Sequence, residues 1–183
     1  MESMEQSADL APALEDLLRR RRSVRTFTPE AVPRAHLERV LRAGIEAPSA
    51  GNVQPWRFVV VRRPSARQLL ARAAWDQDFV AAAPAVIAVC ADLARAEAAY
   101  GARGRELYCV QDGAAAAANM LLMAEAQGLG ACWVGAFDEA QVRAALQLDD
   151  QVRPLALLPV GWPAERPTRP PRHAPEAVTA WLD

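Results

Sequence analysis

Apolar positions recur at a helical period near the start of the chain. Leu10, Leu14, Leu17 and Leu18 share a face, which predicts an amphipathic helix from about Asp9 to Arg21. Thr28-Pro29 breaks that pattern, and Pro33 opens a second helix with Leu37, Val40, Leu41 and Ile45 on one side, stopping before Ala47-Pro48. Arg57 to Arg63 is a short β-branched run bounded by Pro64 and reads as a first strand, followed by a short helix over Ser65 to Ala74. Ala85 to Cys90 is apolar at every position, which predicts a strand central in its sheet.

Residues 91–105 are polar and helix-permissive, with Gly101 and Gly104 as weak points; Tyr100 there suits either a lid or a surface-packed position. Glu106 to Gln127 is the longest helical pattern. Its middle, Gly113 to Ala118, lacks large side chains, which suits burial at the centre of the fold or at a dimer interface. Gly128 to Gly130 ends it. Ala131 to Phe137 reads as a third strand with a turn at Gly135, Asp138 as the N-cap of a helix reaching Leu146, and Pro154 to Gly161 as a fourth strand. Pro159 marks an edge or an end of pairing. From Trp162 to Pro175 five prolines impose an extended tail, yet it closes on Val178, Trp181 and Leu182, so it is expected to dock on something.

At 183 residues the chain reads as one domain, 1–183, with residues 1–8 expected to be disordered and 163–183 forming an extended arm. A net charge of −1 argues against nucleic acid as a partner. No apolar run has membrane-spanning length and the first ten residues are polar and acidic, so a soluble, cytoplasmic protein with no membrane partner is expected. Cys90, Cys109 and Cys132 sit in or beside apolar runs, which suits buried thiols better than disulfides. With only His36 and His173 and no Cys-x-x-Cys, no metal site is expected; the absence of lysine excludes Schiff-base chemistry.

Two stretches carry candidate chemistry. Arg19 to Arg22, with Arg25, concentrate positive charge at a helix end. They suit a helix-terminal cap, a solvated basic patch, an import-like signal, or an anion site in which planar guanidiniums grip phosphate beside the Ser23 hydroxyl. Ala47 to Trp56 places Ser49, Asn52 and Gln54 close together, either as an ordinary turn or as amides facing a flat heterocycle.

The ordered series Arg-Arg-Ser-Val-Arg-Thr-Phe (Arg21 to Phe27), Ala-Pro-Ser-Ala-Gly-Asn-Val-Gln-Pro-Trp (Ala47 to Trp56), Gly-Leu-Gly-Ala-Cys-Trp-Val-Gly-Ala-Phe (Gly128 to Phe137) and the basic, proline-rich tail resembles the nitroreductase family of homodimeric flavin mononucleotide (FMN) enzymes, from about Ala11 to Leu182. The resemblance implies an α+β sandwich, a mainly antiparallel sheet flanked by helices, with the C-terminal segment exchanged between subunits. It makes Arg21, Arg22, Ser23 and Arg25 flavin contacts, Arg21 towards the phosphate and Arg25 at the ring edge. Pro48, Ser49, Ala50, Asn52 and Gln54 would come from the partner subunit, while Val134, Gly135 and Ala136 would lie near the flavin N5. Arg172, with Arg169, would bind phosphate.

The same resemblance implies NADH or NADPH as donor and ping-pong hydride transfer through N5 to a nitroaromatic, quinone or similar small-molecule acceptor, with no protein general acid identified. Specialised relatives are the alternatives: a reductive dehalogenase, an enone reductase or a flavin-fragmenting enzyme. Residues Trp75 to Phe79 and Tyr100 to Tyr108 would decide among them. The rival from another class is a colourless, non-enzymatic binder of anions or nucleic acid through Arg19 to Arg25, sensitive to salt.

Overall fold

The computed structural model describes residues 2–182, with side chains described from Leu10 onward. The expectation of disorder at residues 1–8 concerns positions outside those described side chains. Helix α1 spans Glu2–Arg20 and contains Pro12, which removes one internal N–H donor. Helix α2, Arg34–Ile45, begins after Pro33 and buries Leu37, Val40 and Gly44.

Four strands, β1 (Trp56–Val61), β2 (Ala85–Asp92), β3 (Gly130–Ala131) and β4 (Val152–Gly161), form a sheet in the order β1-β2-β4-β3, antiparallel throughout. Helices cover both faces. Side chains alternate across a strand, so Ala85, Ile87 and Val89 enter one core with α2 and α6 (Cys109–Ala126). Val86, Ala88 and Cys90 enter the other, with α3 (Pro64–Ala73), α4 (Asp78–Ala82) and α7 (Glu139–Leu146). A strand apolar at every position is what burial on both faces requires, and β2 sits inside the sheet as expected.

The predicted third strand is corrected. Regular pairing covers only Gly130 and Ala131, after which Cys132 N–H donates to Pro159 O at 3.2 Å. Pro159 has no N–H to return, so the ladder stops there and resumes only as an isolated pair in which Val134 and Leu157 exchange hydrogen bonds at 2.9 Å. Pro159 thus ends pairing on one side but is not at a sheet edge, because β4 lies between β2 and β3.

The helix predicted from Glu106 starts instead at Cys109, preceded by α5 (Leu93–Arg103) and one wide π-type turn over Gly104–Tyr108. Helical geometry fails inside α5 at Tyr100 and Gly101, the latter with φ 59° and ψ −148°. Gly104 is required because a Cβ there would strike the Ala96 carbonyl. Helix α6 buries Gly113, Ala116, Ala117 and Met120 against the sheet and α2, while Val110, Gln111 and Ala118 remain exposed. It is thus half core and half open surface in a single chain. Among the described residues, no helix is long and apolar enough to cross a membrane. All three cysteines are buried and unpaired.

Beyond β3 the chain after α1 joins the sheet. Val24 N–H donates to Ala131 O at 3.0 Å and Ser23 bridges Ala131 in parallel, while Thr26 to Thr28 pair with Trp162 to Ala164. The Glu165 carboxylate accepts the N–H groups of Arg25 at 2.7 Å and Thr26 at 3.0 Å.

Two outcomes follow from this edge. A Cβ on Gly130 would lie 2.7 to 2.8 Å from the branched Val24 side chain, so Gly130→Ala is expected to cost about 1–3 kcal/mol, read as a lower denaturant midpoint at unchanged slope. The Arg25 N–H, with that of Thr26, holds the Glu165 carboxyl below its usual range. A depressed folded pKa means its contribution is complete at neutral pH and lost as pH falls through that lower value. NMR of the Glu165 side-chain carbonyl should titrate below the ordinary glutamate range, and a value at or above it would remove the claimed tie.

Candidate functional site

The arginine run divides by position. Arg19 and Arg20 pair with Glu15 and Asp16 one turn back at exposed sites, contacts worth little. Arg22 folds its Nη1 onto the carbonyl oxygens of Arg19, Arg20 and Arg21, capping the C-terminus of α1. The helix-end reading therefore accounts for Arg22 within the chain. Arg21 and Arg25 have no ion pair among the described residues.

Extended backbone from Arg21 to Arg25 sorts these side chains into two sets. Arg20, Arg22 and Val24 line a cleft of about 470 Å³ with Glu125, Glu165 and Arg166. The odd-numbered set bears on the Cys132 thiol: burial pushes it up, and Arg25, Ser23 and Arg21 draw it partly back. Arg25 also lies 5.7 Å from the centre of the Phe79 ring, a cation–π contact that limits its sweep.

Cys132 leads directly into the predicted Val134–Ala136 turn. Val134 is buried and anchored to Leu157, whereas Gly135 and Ala136 are exposed. The Ala136 carbonyl accepts from Gln77 Nε2 at 3.3 Å, and Asp138 caps α7 by accepting from Ala140 and Gln141 N–H. Gly135 is not in the left-handed region, and a Cβ on it would meet nothing closer than Trp133 Nε1 at 3.4 Å. Nothing within the chain demands glycine there, and its backbone is open to the surface.

The Pro48–Gln54 loop is a rigid object. Ser49 Oγ accepts Gln54 N–H at 3.1 Å, and Asn52 Oδ1 accepts from Gln54 Nε2 at 2.9 Å. Gly51, Asn52 and Gln54 have φ of 53°, 57° and 52°; the two without glycine's freedom hold a conformation that side chains disfavour. Tyr100 puts its hydroxyl against Gly51, Arg95 donates to the Gln54 carbonyl at 3.1 Å, and Ala50 N–H donates to Asp112 at 3.0 Å. The segment is a turn, as one of the two readings has it, and within it Asn52 and Gln54 bond each other, which orients the amide atoms they have left.

A single chain does not unite these groups. The loop feeds β1, one edge of the sheet, while Arg21 to Arg25 run beyond β3, the other edge. Arg169 and Arg172 lie on the exposed tail, where the Arg172 guanidinium contacts only its neighbour's carbonyl, Pro171 O, among the described hydrogen bonds. Reading the sequence named Phe79 only as part of a region that decides substrate choice, not as a partner of Arg25, and it missed Asp112 and Glu165. Asp112 had a signal, a lone acid beside a glycine and alanine run. Glu165 had none, since its partners are 139 and 140 residues away.

Comparison with known proteins agrees with the geometry. The sequence profile described as the Nitroreductase family matches residues 18–77 and 66–162. A Thermus thermophilus protein named NADH dehydrogenase is 34% identical over 189 residues, covering 88% of this chain and 92% of its own. A Bacillus subtilis protein named FMN reductase (NADPH) is 30% identical, over 86% of this chain and 68% of its own. The solved structure of Vibrio harveyi NADPH:FMN oxidoreductase complexed with NAD+ has a TM-score of 0.83 at 26% identity, over 92% of this chain and 76% of that one. With this match across most of its length, and with an antiparallel sheet clothed in helices that presents its polar clusters at opposite edges, the chain belongs to the nitroreductase family.

Proposed function

We propose that this protein is an FMN-dependent NAD(P)H oxidoreductase acting as a homodimer. The observation that carries this reading is the split site: Arg21, Ser23, Arg25 and the open Gly135 turn at one sheet edge, and the rigid Pro48–Gln54 loop at the other. Two such chains, side by side, supply one complete pocket at each contact. The names of the Bacillus subtilis and Vibrio harveyi relatives support FMN and a nicotinamide donor.

The residues present fit the group. Arg21 is a permanent cation with no ion-pair partner in the described chain, suited to a phosphate; Arg169 and Arg172 on the tail would add to it. Ser23 adds a neutral donor. Gly135 and Ala136 offer exposed backbone, and a glycine that no internal contact requires is a cradle that a Cβ would narrow. Arg22 acts indirectly, capping α1 so that the strip leaves the helix in a set direction.

When bound, FMN supplies two-electron transfer from NADH or NADPH to a nitroaromatic, quinone or similar acceptor in alternating half-reactions. Arg25, steadied on Phe79, holds a cation at the ring edge where negative charge gathers. Gly135 and Ala136 would offer exposed backbone N–H groups to the flavin ring. Pro48, Ser49, Ala50, Asn52 and Gln54 of the second copy close the pocket and orient the ring.

Dimerisation is supported by apolar surface that one chain leaves uncovered. Leu10, Leu14 and Leu18 are exposed along one face of α1, as are Val178, Trp181 and Leu182 at the end of the tail. Exchange of residues 163–183 between subunits would cover that tail.

The purified protein should show flavin absorbance, or acquire it with added FMN, and bleach anaerobically with NADH or NADPH. Arg21→Ala with Arg172→Ala should weaken FMN binding by about tenfold or more, as loss of charge-assisted phosphate contacts predicts; unchanged affinity would reassign the phosphate site. Sedimentation should give twice the 19.9 kDa chain mass, and a monomer that still binds FMN tightly would discard the shared pocket.

A further inference from the structure

Asp112 is the buried charged side chain of the described core, only 6% exposed. It follows Cys109 and Gln111 on α6 and precedes Gly113 and a run of alanines, and among the described hydrogen bonds and ion pairs it has no side-chain partner. Its Oδ1 instead accepts the N–H of Ala50, 62 residues earlier, at 3.0 Å. Burial pushes this carboxyl up and the Ala50 N–H draws it partly back. A carboxylate placed in a core beside one backbone donor is costly, and alanine would fit the α6 pattern better. Its place in the first turn of α6 favours an acid through the helix dipole, but that does not account for its bond to Ala50.

The donor's position does. Ala50 is the first residue of the short turn Ala50–Asn52, and the next two residues occupy the left-handed region. The other bonds of this segment mostly close it on itself: Ser49 to Gln54, Asn52 to Gln54, and Val53 N–H to Ala50 O at 3.0 Å. Such bonds preserve a shape without saying where that shape sits. Asp112 ties its leading end to the core helix, and Arg95 ties its far end from an exposed site.

We propose that Asp112 is a positioning residue for the cofactor pocket: by fixing Ala50 N–H it sets where the Ser49–Gln54 loop stands, and hence how each subunit presents that loop to the flavin of the other. This rests on the function proposed above. It requires an acceptor at Oδ1 and not a charge. Asparagine at 112 keeps that acceptor, and alanine removes it.

FMN titration of the full-length apoprotein, followed by flavin fluorescence and visible circular dichroism, tests the proposal on wild type, Asp112→Asn, Asp112→Ala and Ala50→Pro. The last deletes the donor and leaves the acid in place. Proline suits this position, since it opens a helical turn after an extended Ser49 with φ −139° and ψ 153°. Asp112→Asn should bind FMN within about threefold of wild type. Asp112→Ala and Ala50→Pro should each bind about tenfold more weakly, corresponding to one lost hydrogen bond of about 1.4 kcal/mol, with an altered flavin dichroism band. The double change Ala50→Pro, Asp112→Ala should weaken binding no further than either alone.

Wild-type affinity in both Asp112→Ala and Ala50→Pro overturns the positioning role and leaves the proposed function standing. Equal loss in Asp112→Asn and Asp112→Ala also overturns it, since charge would then matter. If Asp112→Ala does not fold, Asp112→Asn against Ala50→Pro decides alone. Failure of the wild type to bind FMN brings down the proposed function, and this inference with it.

Discussion

The constraint on which the structure depends is that β2 is covered on both faces and paired along both edges. Ile87 and Val89 enter one core and Val86, Ala88 and Cys90 the other, so neither sheet face can receive a ligand. Polar and charged side chains are left to the margins, where strands run out of partners. There the chain places its cations, its bare glycine backbone and its left-handed loop. The confinement also separates them, because the two margins lie across the full width of the sheet.

Each margin is rigid for its own reason. On the β3 side, Pro159 cannot return a hydrogen bond to Cys132, which ends the ladder early and releases the backbone into the Val134–Ala136 turn. The chain after α1 is held by Val24 against Gly130 and by Glu165, and its Arg21, Ser23 and Arg25 all bear on the Cys132 thiol. On the β1 side, a network of side-chain to backbone hydrogen bonds sustains backbone angles that Asn52 and Gln54 would otherwise avoid. Preorganised donors of this kind are what binding a flat, anionic cofactor demands.

Much of the fold was legible in residue patterns. The helical spacing of Leu37, Val40 and Leu41, the unbroken apolar run of β2, the Asp138 cap and the glycine stop after α6 all act within a few residues, where local sterics and hydrogen bonding dominate. The third strand is shorter than its composition suggests, because Cys132 to Val134 has strand character before the turn at Gly135. Whether it pairs depends on a proline that faces it from 27 residues away, between Cys132 and Pro159. The start of α6 was misplaced for a similar reason: Gly104 is set by its approach to the Ala96 carbonyl, and the turn it allows belongs to packing.

The sequence by itself determined the family motifs, the two-sided burial of the sheet and the stock of cations and small polar groups at the candidate site. It could do so because spacing and residue type act locally and carry chemical capacity directly. Only the tertiary structure decided which arginines cap a helix and which stay available, that Arg25 rests on Phe79, that Asp112 anchors a loop 62 residues away, and that the two clusters lie on opposite edges. Those outcomes depend on which distant segments share a boundary once both cores close, and no local pattern encodes that choice of neighbour.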